Sequence, residues 1–574
     1  MTDVLIVGGG GAGLTVSMLL SQLGIDTLLV NARPDTSPLP KAHYLNQRTM
    51  EIFRDLAVAD AVYERGTPPD QMSHTGWYAG LCGDGPDFGR AFGKIECWGA
   101  GGQNPAWAAA SACLPANLPQ LRLEPLLKQR AEELAPGRIR FNHDVSAISQ
   151  DEDGVTATIL DRGTNEEYEV RCRYLLGCDG GRTVGPAIGV TMDGLRDVAR
   201  VVTVHLSADL SKWARDPEVL IRWLSLPHMG LGGALAPMGP QRWGPDSEEW
   251  IFHLNYRADD DRAFDNAAVE ADMRTALGID DYEIHMITRW SLEGVVADRF
   301  RDRRVFLLGD AAHRHPPTGG LGLNSAVQDA HNLAWKLAAV LNGHSGEALL
   351  DTYESERKPT TARNVQRAID NAINHLVTTQ ALGVSPEQTA EENWEALRRV
   401  WGDHAEVARR AIAGQSMEFD ELNIEYGYTY ESGAIIPDGT EVPHNPDPIR
   451  LYQPGTRPGH PLPHAWVEDG ERVPVMDLVR PGRFLLIAGE QGHEWLTAAA
   501  KAAANLNVPV DAVRIGHVDG DYLDPRSTWT QHRGITDRGA ILVRPDRFVA
   551  WRSTGETADP GAELVGVLSR VLGR

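Results

Sequence analysis

The sequence predicts an α/β fold: a Rossmann-like, doubly wound dinucleotide-binding domain, an inserted α+β domain built on a β-sheet, and a small α/β domain at the C-terminus. Three observations carry this. The apolar run Val4–Val7 enters Gly8-Gly9-Gly10-Gly11-Ala12-Gly13 and then a helical pattern. A second apolar run, Val305–Leu308, enters Gly309-Asp310 and a further cluster of glycines. A stretch crowded with proline and glycine, Pro437 to Pro463, then sets the C-terminal segment apart.

The opening elements follow in order. Val4–Val7 reads as a buried parallel strand. Leu14, Met18, Leu19 and Leu23 recur at helical spacing up to Gly24, a natural helix stop. Thr27–Val30 is a second buried strand, completing a βαβ unit. Residues 120–135 read as a charged helix. Residues 138–177 alternate as strands, with turns at Asp151–Gly154 and Gly163–Asn165. Residues 190–290, rich in Trp, Met, Pro and Gly, read as a separate sheet layer. Ala326, Ala330, Leu333, Leu337 and Val340 form one face of a helix ending near Gly343. Past the proline-rich stretch come a strand at Phe484–Ile487, an alanine-rich helix near 496–504 and a strand at Ala540–Val543. The expected division is a dinucleotide domain at 1–75, 98–190 and 286–400, a substrate domain at 76–97 and 191–285, a connecting linker at 401–459, and a C-terminal domain at 460–574.

Bulk properties narrow the class. A chain of 574 residues exceeds one ordinary domain. A net charge of −24 repels phosphate backbones and anionic lipid, so neither nucleic acid nor a membrane is an expected partner. No run of about twenty apolar residues and no basic leader pattern is present, so neither a membrane span nor secretion is expected. The five cysteines, Cys82, Cys97, Cys113, Cys172 and Cys178, form no CxxC pair, which suits a reducing cytoplasm.

Two motifs carry chemistry. In the first, Gly8 permits the tight turn, Gly10 lets backbone approach a pyrophosphate, and Gly13 lets helix and strand pack closely. The helix N-terminus then faces the phosphates. An acid is expected at the end of the second strand to hold ribose hydroxyls. Asn31 stands there instead, an amide without charge assistance. Arg33 reads equally as an adenosine contact or a solvated surface charge. In the second motif, Asp310 can accept from a cofactor hydroxyl or cap a turn. Pro316, Pro317, Gly319, Gly320, Gly322 and Asn324 lead into the helix, where glycines let backbone touch a ligand. His313 and His315 with Asp310 suit no usual zinc spacing, so no metal is expected.

Together, Gly8/Gly10/Gly13, Cys178-Asp179-Gly180, and Gly309-Asp310 with Pro317-Thr318-Gly319-Gly320-Leu321-Gly322-Leu323-Asn324 resemble the three fingerprints of the single-component flavoprotein aromatic monooxygenases, the para-hydroxybenzoate hydroxylase fold. The stretch Ala42-His43 to Met50-Glu51 is most similar to the phenol hydroxylase and 2,4-dichlorophenol branch, which also serves natural-product tailoring. The segment Gly539–Trp551 resembles the thioredoxin-like domain of phenol hydroxylases, here without redox cysteines. The resemblance spans essentially the whole chain.

It implies FAD as cofactor, NADPH or NADH and O2 as co-substrates, and a small aromatic substrate. One oxygen atom would pass from an adduct at flavin C4a to a hydroxylated phenol-type, hydroxypyridine or polyketide ring. It also implies a homo-oligomer. Carried over by position, Arg48 lies near the pyrophosphate, Gln120 contacts the flavin's phosphate or ribityl side, and the Val145 backbone meets adenine. Asp310 holds the ribityl or pyrophosphate, and Gly320, Leu323 and Asn324 supply backbone at the flavin's O2 edge. Thr183 and Pro186 depart from the Asp-Gly motif, where Ser and Arg are usual, which leaves the nicotinamide contact open. His43 stands where phenol hydroxylases place an aspartate near the substrate hydroxyl. It reads as a general base, or as a packed or merely hydrogen-bonding residue. Trp223, Met229, His253 and Pro316 are candidates for a flat ring pocket, against ordinary core packing. Other reactions on this scaffold (oxidase, epoxidase, Baeyer–Villiger) stay open, since fold does not fix function. The Trp-x-Trp-x-x-Ile stretch of flavin halogenases is absent.

Overall fold

A parallel sheet buried on both faces demands continuous apolar strands, and Val4, Leu5, Ile6, Leu28, Leu29 and Val30 are all buried. The computed structural model describes residues 1–83, 85–197, 199–256 and 260–574. Its first sheet runs in the order Arg301–Asp302, Val305–Leu307, Glu166–Gly177, Thr2–Val7, Thr27–Asn31, Ile139–Phe141. The four pairings from Val305–Leu307 to Ile139–Phe141 are parallel. Thr2–Val7 lies between the strand that follows it and one far downstream, so the chain changes direction at its carboxyl end. In open α/β sheets that is where ligands bind. The helices Gly11–Gln22, Gln120–Leu134 and Leu321–Leu341 cover this sheet and one another.

A second, seven-stranded sheet is ordered Glu283–Ser291, Arg200–Ser207, Glu249–Tyr256, Leu231–Gly239, Val219–Leu226, His74–Ala79, Arg90–Glu96. Alternation gives it two faces. Val202, Val204, Leu224, Leu226, Phe252 and Leu254 bury against Val269 and Met273 of the helix Asn266–Leu277. The opposite face carries Thr203, His205, Trp223, Ile251 and His253, and it looks toward the first sheet. Arg122, from Gln120–Leu134, bridges the two by donating to the Met238 carbonyl and to Glu249.

The C-terminal sheet centres on Phe484–Ala488, parallel to Val510–Gly516 and antiparallel to Ala540–Val543. The helices His493–Leu506 and Pro560–Val571 pack on one side of it.

One segment differs from expectation. Residues 401–459 are not a free linker. They contain the helices Ala405–Gly414, Ser416–Phe419 and Leu422–Glu425 and bury Phe419, Leu422, Tyr426, Tyr428 and Tyr430. Their aromatic side chains outweigh the turn-forming composition. A 35-residue helix, Ala348–Leu382, runs straight through Pro359. Pro359 sits on the exposed side of the helix, so its missing N–H strands no buried group. Among the described residues no helix is long and apolar enough to cross a membrane.

Candidate active site

The glycine turn is sterically compulsory. Gly8 has φ +115°, and a Cβ there would lie 2.2 Å from the Cys178 carbonyl oxygen. A Cβ on Gly13 would lie 1.9 Å from the Gly8 oxygen. Gly309, at φ +58°, fits between Ala12 and Ala326, and a Cβ on Gly11 would strike Leu323. The N-termini of Gly11–Gln22 and Leu321–Leu341 therefore converge. Neither has a side-chain cap or an acid in its first turn, so its leading amides are free donors. Asp310 stands exposed beside them. It caps nothing and has no partner among the described residues. Free amides at two helix starts suit a diphosphate and a flavin carbonyl edge, and a free carboxylate suits a hydroxyl. The residues fit FAD.

The other residues expected at the cofactor divide. Gln120 donates to Glu124 at 2.5 Å, and Glu124 faces Gly10, which places both beside the turn. Asn31 accepts from the Gly9 N–H at 3.0 Å and donates to the Arg33 carbonyl, so its amide first serves the loop. The Arg33 side chain is half-buried at the same strand end, with no partner among the described residues. Val145 lies where the register against Val155–Asp161 shifts, a bulge that frees backbone groups. Gly320, at φ +66°, starts the helix, and its missing Cβ makes room for Tyr44. Leu323 ends the run of free first-turn amides. The Asn324 side chain bridges Asn46 N–H and the Tyr44 and Gly320 carbonyls, locking this loop. Asp179 of the Asp-Gly motif caps the turn that follows it by accepting from Gly181, Thr183 and Val184.

Arg48, expected near the pyrophosphate, is buried. Its guanidinium is 2% exposed, donates to Glu51 at 2.6 Å and lies 4.3 Å from the Tyr426 ring centroid. It belongs to a buried cluster joining residues 401–459 to the core, and its Nε and Nη2 have no partner among the described residues. A lone arginine after the first βαβ unit carries no signal of which face it takes.

Beneath Gly309 lies a set the sequence reading missed. His313 Nε2 is 2.6 Å from Asp329, Arg357 donates to Asp329 at 2.8 Å, and Asp329 accepts from the Gly309 N–H at 3.0 Å. All three side chains are buried. The neighbouring cations hold Asp329 below the usual carboxylate range against the cost of burial. A charged residue on the apolar face of Leu321–Leu341 was the available signal. His313 is thus committed to this support.

On the substrate side, His43 Nδ1 is 2.5 Å from Asn117 Oδ1. Burial, with a smaller contribution from His43, pushes the His253 imidazole down to about 4. Its Nδ1 is 2.8 Å from Thr203 Oγ1, which also receives the Trp290 indole N–H at 2.9 Å. Trp223 stands on the same sheet face in an aromatic wall with Trp77, Phe419 and His375, the last at 4.1 Å. Tyr44 stacks on Trp98 at 4.4 Å and donates to Glu425 at 2.7 Å. Pro316 is buried between His315 and the Thr318–Gly320 turn. Met229 is a correction: it lies in the turn after Val219–Leu226 and packs against the core on the far face of the sheet.

A model described as "FAD binding domain" matches residues 1–368, and one described as "Aromatic-ring hydroxylase, C-terminal" matches residues 455–574. The 2,4-dichlorophenol 6-monooxygenase of Delftia acidovorans is 35% identical over 100% of this chain and 98% of its own. The tetracenomycin B2 monooxygenase-dioxygenase of Streptomyces olivaceus is 35% identical over 100% and 98%. The crystal structure of the flavin-dependent monooxygenase PieE with FAD and substrate superposes with a TM-score of 0.91 at 38% identity, covering 100% of this chain and 99% of that one. The ternary complex of aklavinone-11 hydroxylase with FAD and aklavinone gives 0.80 at 31%, over 100% and 99%. With those two models, those relatives and a cradle that fits the cofactor, this chain belongs to the FAD-dependent aromatic-ring monooxygenases.

Proposed function

We propose that this enzyme hydroxylates an activated, hydroxyl-bearing ring of phenol, hydroxypyridine or polyketide type, using NADPH or NADH and O2. The observation that carries the reading is the cradle of free amides at the starts of Gly11–Gln22 and Leu321–Leu341 beside a sheet face that carries His253 and the Trp223 wall. FAD, held by the Gly8–Gly13 turn and the Gly309–Asp310 loop, would supply the redox and oxygen-transfer chemistry. The protein's share is to hold the ring flat against Trp223 and its neighbours, exclude water, and handle the proton of the ring hydroxyl. His43 is half-buried and desolvation lowers its imidazole below the ordinary value, so it is neutral and can take that proton. Free amides at the start of Leu321–Leu341 would hold the flavin's carbonyl edge, and Asp310 its ribityl chain.

The layout supports a division of labour. The first sheet is the FAD domain, the seven-stranded sheet the substrate domain, and the C-terminal sheet a thioredoxin-like domain that docks without dithiol chemistry, since no cysteine follows Cys178. Relatives named for a dichlorophenol and for tetracenomycin B2 support a phenolic or polycyclic ring. The test is aerobic incubation with NADPH, then NADH, and a panel of 2,4-dichlorophenol, hydroxypyridines and hydroxyanthraquinones. Nicotinamide oxidation stimulated by a ring, with a product heavier by one oxygen, is expected. Oxidation that yields only hydrogen peroxide with every ring would overturn the reading.

A further inference from the structure

The turn that starts Leu321–Leu341 is gripped from its buried side by residues of 401–459. Gly319 stands at φ +80° and donates its N–H to Glu418 Oε1 at 3.0 Å. A Cβ on Gly319 would lie 2.5 Å from Glu421 Oε1, so a second carboxyl packs directly under the same turn. The peptide that precedes a glycine in a tight turn can flip at little cost, because glycine accepts either sign of φ. Glu418 selects one orientation, and in a planar trans peptide the Thr318 carbonyl is then turned away from it. The other oxygen of Glu418 reaches the ring side: Oε2 lies 2.7 Å from His375 Nε2. The centroids of the His375 and Trp223 rings are 4.1 Å apart. Trp223 donates its indole N–H to Thr75 Oγ1 at 3.0 Å, which fixes its tilt on the sheet. Glu418 is buried and His375 half-buried, so one carboxyl bonds both the glycine turn and the support of the aromatic wall.

We propose that Glu418 is a positioning residue for the oxygen transfer: one of its oxygens holds the Gly319 peptide and the other holds His375, so the turn that presents amides to the flavin stays in register with the wall that holds the ring. The proposal rests on the ring-hydroxylation reading above. Glu418 acts through Gly319 on the cofactor side and through His375 and Trp223 on the ring side. Transfer of an atom between two held groups is demanding of geometry, and a misplacement of about 1 Å can cost roughly 10²-fold. A turn or a wall that slips would leave nicotinamide oxidation in place. Both electrons and both oxygen atoms would then end in hydrogen peroxide, with nothing added to the ring.

The experiment compares the FAD-loaded wild type with Glu418→Ala, Glu418→Gln and His375→Phe by two readouts. The midpoint potential of the bound flavin reports the peptide dipoles of the turn. Product formed per nicotinamide oxidised, with the fastest ring of the panel above, reports the register. Glu418→Ala is expected to shift the potential and to lower product per nicotinamide by about 10- to 100-fold, with hydrogen peroxide making up the difference. Glu418→Gln keeps an oxygen for the Gly319 N–H and should restore the wild-type potential. His375→Phe keeps a ring against Trp223 and leaves Glu418 on Gly319, so its potential should stay at the wild-type value while its coupling falls. FAD content and the unfolding midpoint identify any variant that fails to fold, and the Gln and Phe variants carry the test if Ala does so. A folded, FAD-loaded Glu418→Ala with either readout unmoved overturns the proposal, as does a His375→Phe that stays fully coupled. A wild type that hydroxylates no ring fails the hydroxylation reading instead, and the potential, which needs no ring, still decides for Glu418.

Discussion

Glu421 is fully buried, with Arg367 at 3.1 Å, and burial pushes its carboxyl up to about 8. Its ordinary value is 4.5, so the folded state holds the proton more tightly than the unfolded chain. The stability this contributes is complete below that value and is lost as pH rises toward about 8. The melting temperature of the wild type should therefore fall between pH 5 and 8.5, and Glu421→Gln should flatten that slope. An unchanged slope would show Glu421 ionised throughout. His43→Ala should slow ring hydroxylation by about 10²–10⁴-fold while nicotinamide oxidation continues and hydrogen peroxide appears. Full coupling in that variant would place the base elsewhere. At this scale the sequence was partly legible. His43 could be named because an imidazole suits the chemistry, His253 only as one of several candidates for a flat ring pocket, and the glycines because only they fit the turn. Arg48 and Met229 could not be placed, since face and partner are tertiary facts. The Asp329–Arg357 pair joins two helices, and only a charged residue on an apolar helix face hints at it.

At the scale of the element, the strand–turn–helix units are the most constrained parts. A methyl on Gly13 would meet backbone, with no side chain able to yield. Gly13→Ala should therefore purify with little FAD and a lowered melting temperature, whereas Gly24→Ala, in open space, should retain FAD. Equal FAD content in the two would contradict the cradle. The opening βαβ unit and the strands of 138–177 were legible because periodicity and burial agree there. The helix Ala348–Leu382 was not, because Pro359 and a polar surface mimic a break while its buried stripe is held by neighbours. The helices within 401–459 were hidden likewise, their apolar residues too sparse for a periodic signal.

Across the whole molecule, the C-terminal domain is joined by buried charge. Arg544 donates to Glu356 at 2.5 Å and also pairs with Asp546, and Lys336 donates to Glu356 at 2.7 Å. Removing one partner of such a set leaves buried charge uncompensated, at a cost of roughly 3–5 kcal/mol. Arg544→Met should lower the denaturation midpoint accordingly and expose residues 455–574 to proteolysis first. Equal protection would mean that Trp335, Phe484 and the apolar contacts around them dock the domain alone. The order of domains was legible from glycine motifs and the proline-rich stretch. That stretch's folding against the core was not, because composition reports local backbone preference and says nothing of partners.

The claim that joins these scales is that a flavin cradle and a histidine-lined ring site act together to put one atom of dioxygen on a ring. The most direct measurement is product mass after turnover of an active ring under isotopically labelled O2 with NADPH or NADH. One labelled oxygen on the ring for each nicotinamide oxidised is the expected result. An unlabelled product, or an oxidised product with no added oxygen, would contradict the account.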